Sequence, residues 1–263
     1  MPLILDSHVH IYKNYDLSRL LASVHKNFTH ILTQIGPSAM GATRAIILTE
    51  REQCSFFRSL ADRHFALSGF ELCPLDGSQC LSVTSSKYPP LLVFSGRQVA
   101  CAERLEAHAL LVDVIVPDGT PISEARTRYL EAGAVLSYPW ALGKWLGERR
   151  EIMLRLLEQE GRGSCLISDP ALRPSGYPTP GLYDIAAERG ISCIYGTDPL
   201  PIAGEEERIG AYATFYGGSF DQTHPSAEMR RVLLTSPASE LVRVGRRLGV
   251  LGCLRRMGQL RLR

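Results

Sequence analysis

The segment Asp6-Ser7-His8-Val9-His10 holds the residues whose types and spacing point most directly to chemistry. On an extended strand, successive side chains alternate between faces, so regular geometry puts Asp6, His8 and His10 on one side. Two neutral imidazoles one pleat apart can share a single divalent cation, with zinc and manganese the natural candidates. A second polar group stands far along the chain, in Tyr195-Gly196-Thr197-Asp198-Pro199. If that run ends beside the first strand, the Asp198 carboxylate faces both imidazoles, as a ligand or as the base that orients a water. A hydrogen-bonded histidine pair and an Asp-Pro turn account for the same residues without a metal.

Cations recur after the later apolar runs. Arg97 follows 91–95, Lys144 lies within 138–145, Arg173 within 169–174, and Arg208 comes after Asp198. Gathered at one mouth, they would bind the phosphate or carboxylate of a small anionic substrate. Lys144 and Arg173 would also neutralise charge in the transition state. Taken singly, each reads equally well as a solvated surface residue. Trp140 and Trp145 could wall such a site or belong to the core.

The elements that must position these residues show as an alternation of short apolar runs and amphipathic stretches. The runs are 3–10, 45–49, 91–95, 110–116, 134–137, 164–168 and 191–195. The helix-like stretches are 16–35, 50–64, one opened by Thr120-Pro121 and closed by Gly133, 148–160, and 182–189. Such alternation implies an α/β protein with a parallel sheet and helical crossovers. The number of units fits a (β/α) barrel, either a distorted seven-stranded one or an eight-stranded TIM-type one, better than an open doubly wound sheet. The segment 65–90, rich in Ser, Pro and Gly, has a possible strand at 68–72 and no clear helix, and reads as a loop or hairpin in place of one crossover.

Composition bounds the alternatives. With 263 residues, 45% hydrophobic and 21% charged, the chain can bury a core and is not wholly disordered. No apolar run approaches the roughly 18 residues of a membrane span. Seven cysteines without a Cys-x-x-Cys, and an N-terminus lacking a basic leader, suggest reduced thiols and a cytoplasmic location. Net charge is +2, but residues 230–263 hold nine arginines and one acid, so this tail carries +8 and residues 1–229 carry −6. The chain accordingly divides into a barrel over 1–229 and a basic helical segment over 230–263, opened by Ser236-Pro237 and packed on the barrel with a solvated arginine face. Nucleic acid and membrane are not expected partners, and oligomeric state is not read.

Several stretches together resemble the polymerase-and-histidinol-phosphatase (PHP) family of metal-dependent hydrolases. Asp-Ser-His-Val-His at 6–10 is similar to the family's opening Asp-x-His-x-His, and Gly-Thr-Asp-Pro at 196–199 to its closing Gly-Ser-Asp-x-His. Ser-Gly-Arg-Gln at 95–98, His-Ala-Leu-Leu at 108–111 and Ala-Gly-Ala-Val-Leu-Ser-Tyr-Pro at 132–139 resemble intervening motifs. The resemblance implies a distorted seven-stranded barrel, divalent metals and phosphoester hydrolysis. It implies His8, His10 and Asp198 as ligands, with Glu50 and His108 as possible substitutes.

This chain also departs from the pattern. Gln98 stands where the family has a metal-bridging Glu, Tyr138 where it has His, and Thr49-Glu50-Arg51 where it has Thr-Asp-His. A neutral Gln98 brings no negative charge, so one metal ion is expected rather than three. The amidohydrolase superfamily also uses His-x-His with a late Asp, but no histidine occurs here between His108 and His224. A third reading is a barrel that has lost catalysis and serves as a ligand-binding or assembly module.

Overall fold

The computed structural model describes residues 1–62, 64–65, 67–75 and 79–261. In chain order the elements are β1 (Leu3–Val9), α1 (Leu17–Ile35), β2 (Thr43–Leu48), α2 (Phe56–Ala61), β3 (Glu71–Leu75), β4 (Cys80–Thr84), β5 (Leu91–Phe94), β6 (Gly96–Ala100), β7 (Glu106–Leu110), α3 (Ile122–Glu131), β8 (Val135–Pro139), α4 (Glu148–Glu158), β9 (Leu166–Pro170), α5 (Gly181–Glu188), β10 (Cys193–Gly196), β11 (Tyr212–Tyr216), α6 (Pro225–Thr235), β12 (Leu241–Gly245) and α7 (Val250–Arg261).

The strands form two sheets. One runs β12-β11-β1-β2-β5-β4-β3 and the other β10-β9-β8-β7-β6. The parallel ladders are β1–β2–β5 and β8–β9–β10, while β3, β4, β6, β7, β11 and β12 bring antiparallel pairings. The architecture is therefore α/β, but mixed rather than all parallel. No continuous ladder closes the described strands into a single ring.

The two sheets meet along two seams. At one, β5 continues through Ser95 into β6, and a parallel bridge joins Glu50, after β2, to Arg97. At the other, the Asp198 amide donates to the His8 carbonyl at 2.9 Å, and the Ser7 hydroxyl donates to the Tyr195 carbonyl at 3.0 Å. Each seam holds a glycine where a side chain cannot fit. A Cβ on Gly96 would lie 2.6 Å from the Leu48 carbonyl oxygen, and one on Gly196 only 2.5 Å from the His8 amide nitrogen.

Strand alternation sorts the core into layers. Leu3, Leu5, Ala45, Ile47, Leu92 and Phe94 pack inward with Leu110, Val135, Leu166 and Ile194 of the other sheet. Ile4, Ile46, Leu48, Leu91 and Val93 point outward and pack on Leu20, Val24, Phe28 and Ile31 of α1. Helices α3, α4 and α5 cover the outer face of the second sheet through Tyr129, Met153 and Leu182. Asp16 caps α1, accepting from the Arg19 amide, as its side-chain oxygen suits an N-cap.

Several expected elements differ. The run 110–116 is not a strand. Strand β7 comprises 106–110 and stops where Leu111 takes a left-handed conformation, with φ 64°. The stretch 50–64 yields only the short helix α2. Residues 65–90 contain the hairpin strands β3 and β4. The expected helix after Ser236-Pro237 shrinks to a 3-10 turn at Ala238–Glu240, followed by β12, which pairs antiparallel with β11, and α-helix begins only at Val250. Val242 and Val244, β-branched and on a ladder, favour extended backbone there. The expected boundary at 229/230 falls inside α6. Among the described residues no helix is long and apolar enough to cross a membrane.

Candidate metal centre

Strand β1 reaches the site through an irregularity. Its register against β2 runs from Asp6↔Ile46 to Val9↔Leu48, so one extra residue is accommodated between Asp6 and Val9. Such a bulge switches the phase of side-chain alternation. Ile4 and Val9 consequently share the outer core cluster although their numbers differ in parity. The expectation that Asp6, His8 and His10 share one regular face is corrected here. Asp6 turns away from the imidazoles, and both histidines turn toward His108 and Asp198.

Asp6 has a different task. Its buried carboxylate accepts from the amides of Thr197 (2.9 Å), Gly210 (2.8 Å) and His8 (3.3 Å), and from the Thr197 hydroxyl. It therefore ties β1 to the segment that follows β10. That segment places Asp198 in a left-handed conformation, φ 49°, which Asp tolerates better than most residues.

The result is a compact trio. His8 Nε2 lies 3.0 Å from His10 Nε2 and 3.4 Å from Asp198 Oδ1, and His10 Nε2 lies 3.6 Å from the same oxygen. Among the described residues this is the one group of three or more potential ligands close enough to hold an ion. Donors at 2.0–2.2 Å from a tetrahedral zinc stand roughly 3.3 Å from each other, so the three separations fit one face of such a site. Both histidines are nearly fully buried, whereas one fifth of the Asp198 side chain is exposed. Burial pushes the His8 imidazole down to about 4 and that of His10 to about 3, so both are neutral at physiological pH and each keeps one unprotonated ring nitrogen. Burial pushes the Asp198 carboxyl up to about 6, opposed by His10. Two imidazoles and one carboxylate bring a single negative charge, which suits one divalent ion and no more.

His108 stacks edge-on against His8, their ring centroids 4.3 Å apart, and its Nε2 lies 2.9 Å from Gln98 Oε1. His108 and Gln98 thus stand behind the trio. Buried Nδ1 atoms of His8 and His108 have no hydrogen-bond partner, nor do the hydroxyls of Ser95, Ser137 and Ser168. Glu50 does not join the trio. Its Oε1 accepts from the Phe56 and Phe57 amides at the start of α2 (2.5 and 3.1 Å).

The expected anion-binding cations are all engaged by carboxylates. Arg97 is buried against Asp113, with Nε 2.6 Å from Oδ1, and donates to the Cys54 carbonyl. Arg173 is clamped in two bonds on Asp169, at 2.5 and 2.8 Å, beside the Tyr212 and Tyr183 hydroxyls. Arg208 faces Glu205 at 3.8 Å, and Lys144 pairs with Glu106 at 2.5 Å. Of the four, Lys144 lies near enough to act electrostatically on Asp198 and His108. Trp140 and Trp145 are buried in the outer cluster of the second sheet.

Sequence reasoning gave no role at the site to three neighbours of the trio, although Arg51 was noted as a departure from the family pattern. Glu106 acts on both His8 and Asp198, and Arg51 on His10. Tyr12 sets its ring 6.0 Å from that of His10. The period-2 continuation from His10 could have singled out Tyr12. Nothing local marks Glu106, which arrives through the fold of the second sheet.

No protein-family profile and no curated protein matches the sequence. Solved structures do match the fold. PsfC from Pseudomonas syringae PB-5123 superposes with a TM-score of 0.59 at 14% identity, over 99% of this chain and 97% of that one. The lesion-specific endonuclease PfuEndoQ from Pyrococcus furiosus superposes at 0.52 and 12%, over 93% of this chain and 58% of its own. Endonuclease Q in complex with a 27-mer duplex bearing an abasic lesion gives 0.52 and 12%, over 89% and 56%. This chain spans little more than half the length of the two endonuclease chains. These likenesses point to a PHP-like fold.

Proposed function

We propose that the chain is a divalent-metal-dependent hydrolase of the phosphoesterase type, acting on a small anionic substrate in a distorted barrel of the PHP kind. The observation that carries this reading is the trio itself: His8 Nε2, His10 Nε2 and Asp198 Oδ1, separated by 3.0 to 3.6 Å at the mouth of the fold. What a divalent ion supplies there when bound is Lewis acidity toward an ester oxygen and a lowered pKa for water. His8 and His10 hold the ion as neutral bases. Asp198, the partly exposed member, would accept a proton from the attacking water. Lys144 and Arg51 stand at the rim, each paired with a carboxylate that an anionic group would have to displace or share.

The test is elemental analysis of protein purified without chelator, followed by an ester screen with added zinc or manganese. About one equivalent of metal and turnover are expected. His8→Ala with His10→Ala, and separately Asp198→Asn, should abolish both. Metal content unchanged in the double variant would reject the centre.

One observation favours a second reading, a ligand-binding or assembly module without catalysis. All four expected cations are neutralised by carboxylates, which leaves few free charges for a transition state. No turnover on any ester, with retained anion binding, would decide for the module. The amidohydrolase-type alternative rests on the same trio and would show as amide rather than phosphoester cleavage in the same screen. Duplex DNA enters as a competitor, because two fold relatives are endonucleases by name.

A further inference from the structure

Beside the trio opens a cleft of about 600 Å³ between the β1–α1 loop and the β2–α2 loop. Its size falls within the range of small-molecule sites. Its apolar and aromatic wall is formed by Ile11, Tyr12, Tyr15, Leu17, Phe56 and Phe65, with Ser18, Gln53, Ser55 and Ser59 among the uncharged polar residues that complete the lining. We propose that this cleft is a subsite for a planar, uncharged aromatic group carried by the substrate, whose anionic end reaches the His8–His10–Asp198 centre. The substrate part of the claim rests on the hydrolase reading; the binding of the ring does not.

The cleft borders the centre through Tyr12, which lines it and neighbours His10. Tyr12 lies two residues past His10, with its ring between the His10 ring (6.0 Å) and the Tyr15 ring (5.4 Å). The Tyr15 hydroxyl donates to the Leu200 carbonyl at 2.5 Å, tying the cleft wall to the loop that bears Asp198. The chemistry of the lining selects the class of group. Phe56 and Phe65 present ring planes 15° apart at 6.2 Å, while Tyr12 and Tyr15 meet edge to face. A flat ring packs favourably on such faces and edges, beyond the gain from its buried area. Charge is sparse, since Lys13 and Asp16 are the charged residues of the lining and Asp16 is already occupied capping α1. A polyanionic strand would find no cationic track here, whereas an uncharged ring brings no charge of its own to desolvate.

The test uses 1-naphthol and 1-naphthyl phosphate. Ser59 on α2 lines the cleft, and Ser59→Trp would fill it from the wall. Ser55→Trp, at the exposed rim, is the second variant in case the first does not fold, with circular dichroism to verify folding. In fluorescence titrations, 1-naphthol should bind wild-type protein saturably with or without zinc, and at least tenfold more weakly to a filled variant. His8→Ala with His10→Ala should keep this binding, which separates failure of the centre from failure of the subsite. With turnover established, Ser59→Trp should raise KM for 1-naphthyl phosphate tenfold and leave KM for glycerol phosphate within twofold. Absence of saturable 1-naphthol binding, or equal affinity in wild type and both variants, would overturn the proposal.

Discussion

The backbone amide of Asp198 donates to the backbone carbonyl of His8 at 2.9 Å. This bond spans 190 residues of sequence and sets the carboxylate against the two imidazoles. It exists because β10 closes onto the end of β1, and that approach depends on a residue without a side chain.

Gly196 is therefore the first point of attack. A methyl group there would lie 2.5 Å from the His8 nitrogen, 2.6 Å from its Cβ and 2.9 Å from Asp6 Oδ1. Gly196→Ala should destabilise by about 2 kcal/mol, a drop in Tm of roughly 4–8 °C. It should also weaken zinc binding, because the seam and the ligand geometry are the same feature. Gly41→Ala, which meets nothing within 4 Å, is the matched control and should leave both unchanged. Equal Tm values for the two variants would show that the seam is not tight.

Asp6→Asn tests the support behind the ligands. The carboxylate accepts from four donors while buried, and an amide would turn its NH2 toward one of them. An unmade buried bond costs about 1–3 kcal/mol. Zinc affinity, read by calorimetry, should fall by roughly tenfold as for other supporting partners of metal ligands. Retention of full affinity would separate Asp6 from the centre.

Gln98→Glu asks whether charge limits metal stoichiometry. Gln98 Oε1 lies 2.9 Å from His108 Nε2, and the His108 ring packs edge-on against that of His8. A carboxylate at that position adds the negative charge the site lacks. Manganese or zinc binding should tighten by at least about tenfold, or a second equivalent should appear in elemental analysis. One equivalent at unchanged affinity would show that Gln98 is too far from the ion to matter.

A pH effect follows from His25, remote from the centre. It is buried, stacked on Tyr88 with ring centroids 4.7 Å apart, and lies 3.3 Å from the Arg44 guanidinium. Burial, reinforced by Arg44, lowers its pKa to about 4. The unfolded chain therefore takes up a proton near pH 6.5 that the folded protein refuses until about pH 4. The stability contribution is complete above pH 6.5 and declines as pH falls toward 4, by on the order of 3 kcal/mol. His25→Gln should flatten the dependence of unfolding free energy on pH across that window. Identical slopes in wild type and variant would refute the assignment.

Much of the local organisation was legible from sequence. The helix over 16–35, the glycine that closes α3, and the apolar runs of β1, β2, β5, β8, β9 and β10 all follow from short-range preferences of backbone and side chain. The His-x-His pair also announced itself, because two imidazoles at the end of an apolar strand must face something. What failed was whatever depends on partners distant in the chain. Leu110–Val116 reads as a strand by composition, yet Leu111 turns left-handed where its amide meets Ser95. The tail reads as a helix by spacing, yet β11 offers a ladder that Leu241–Gly245 fills.

The same division runs through the centre. Residue types and spacing alone determined that His8 and His10 could act together, since one pleat separates them in any extended backbone. Only the tertiary structure decided that Asp6 would leave them and Asp198 would join them, because a one-residue bulge rotates the strand's phase and a bare glycine lets β10 reach it. Likewise, the sequence placed arginines and a lysine after the strands, but Asp113, Glu106, Asp169 and Glu205 decided their fate. A buried or half-buried cation takes the nearest carboxylate that the fold brings to it, and that neighbour is set by chain segments that no local pattern records.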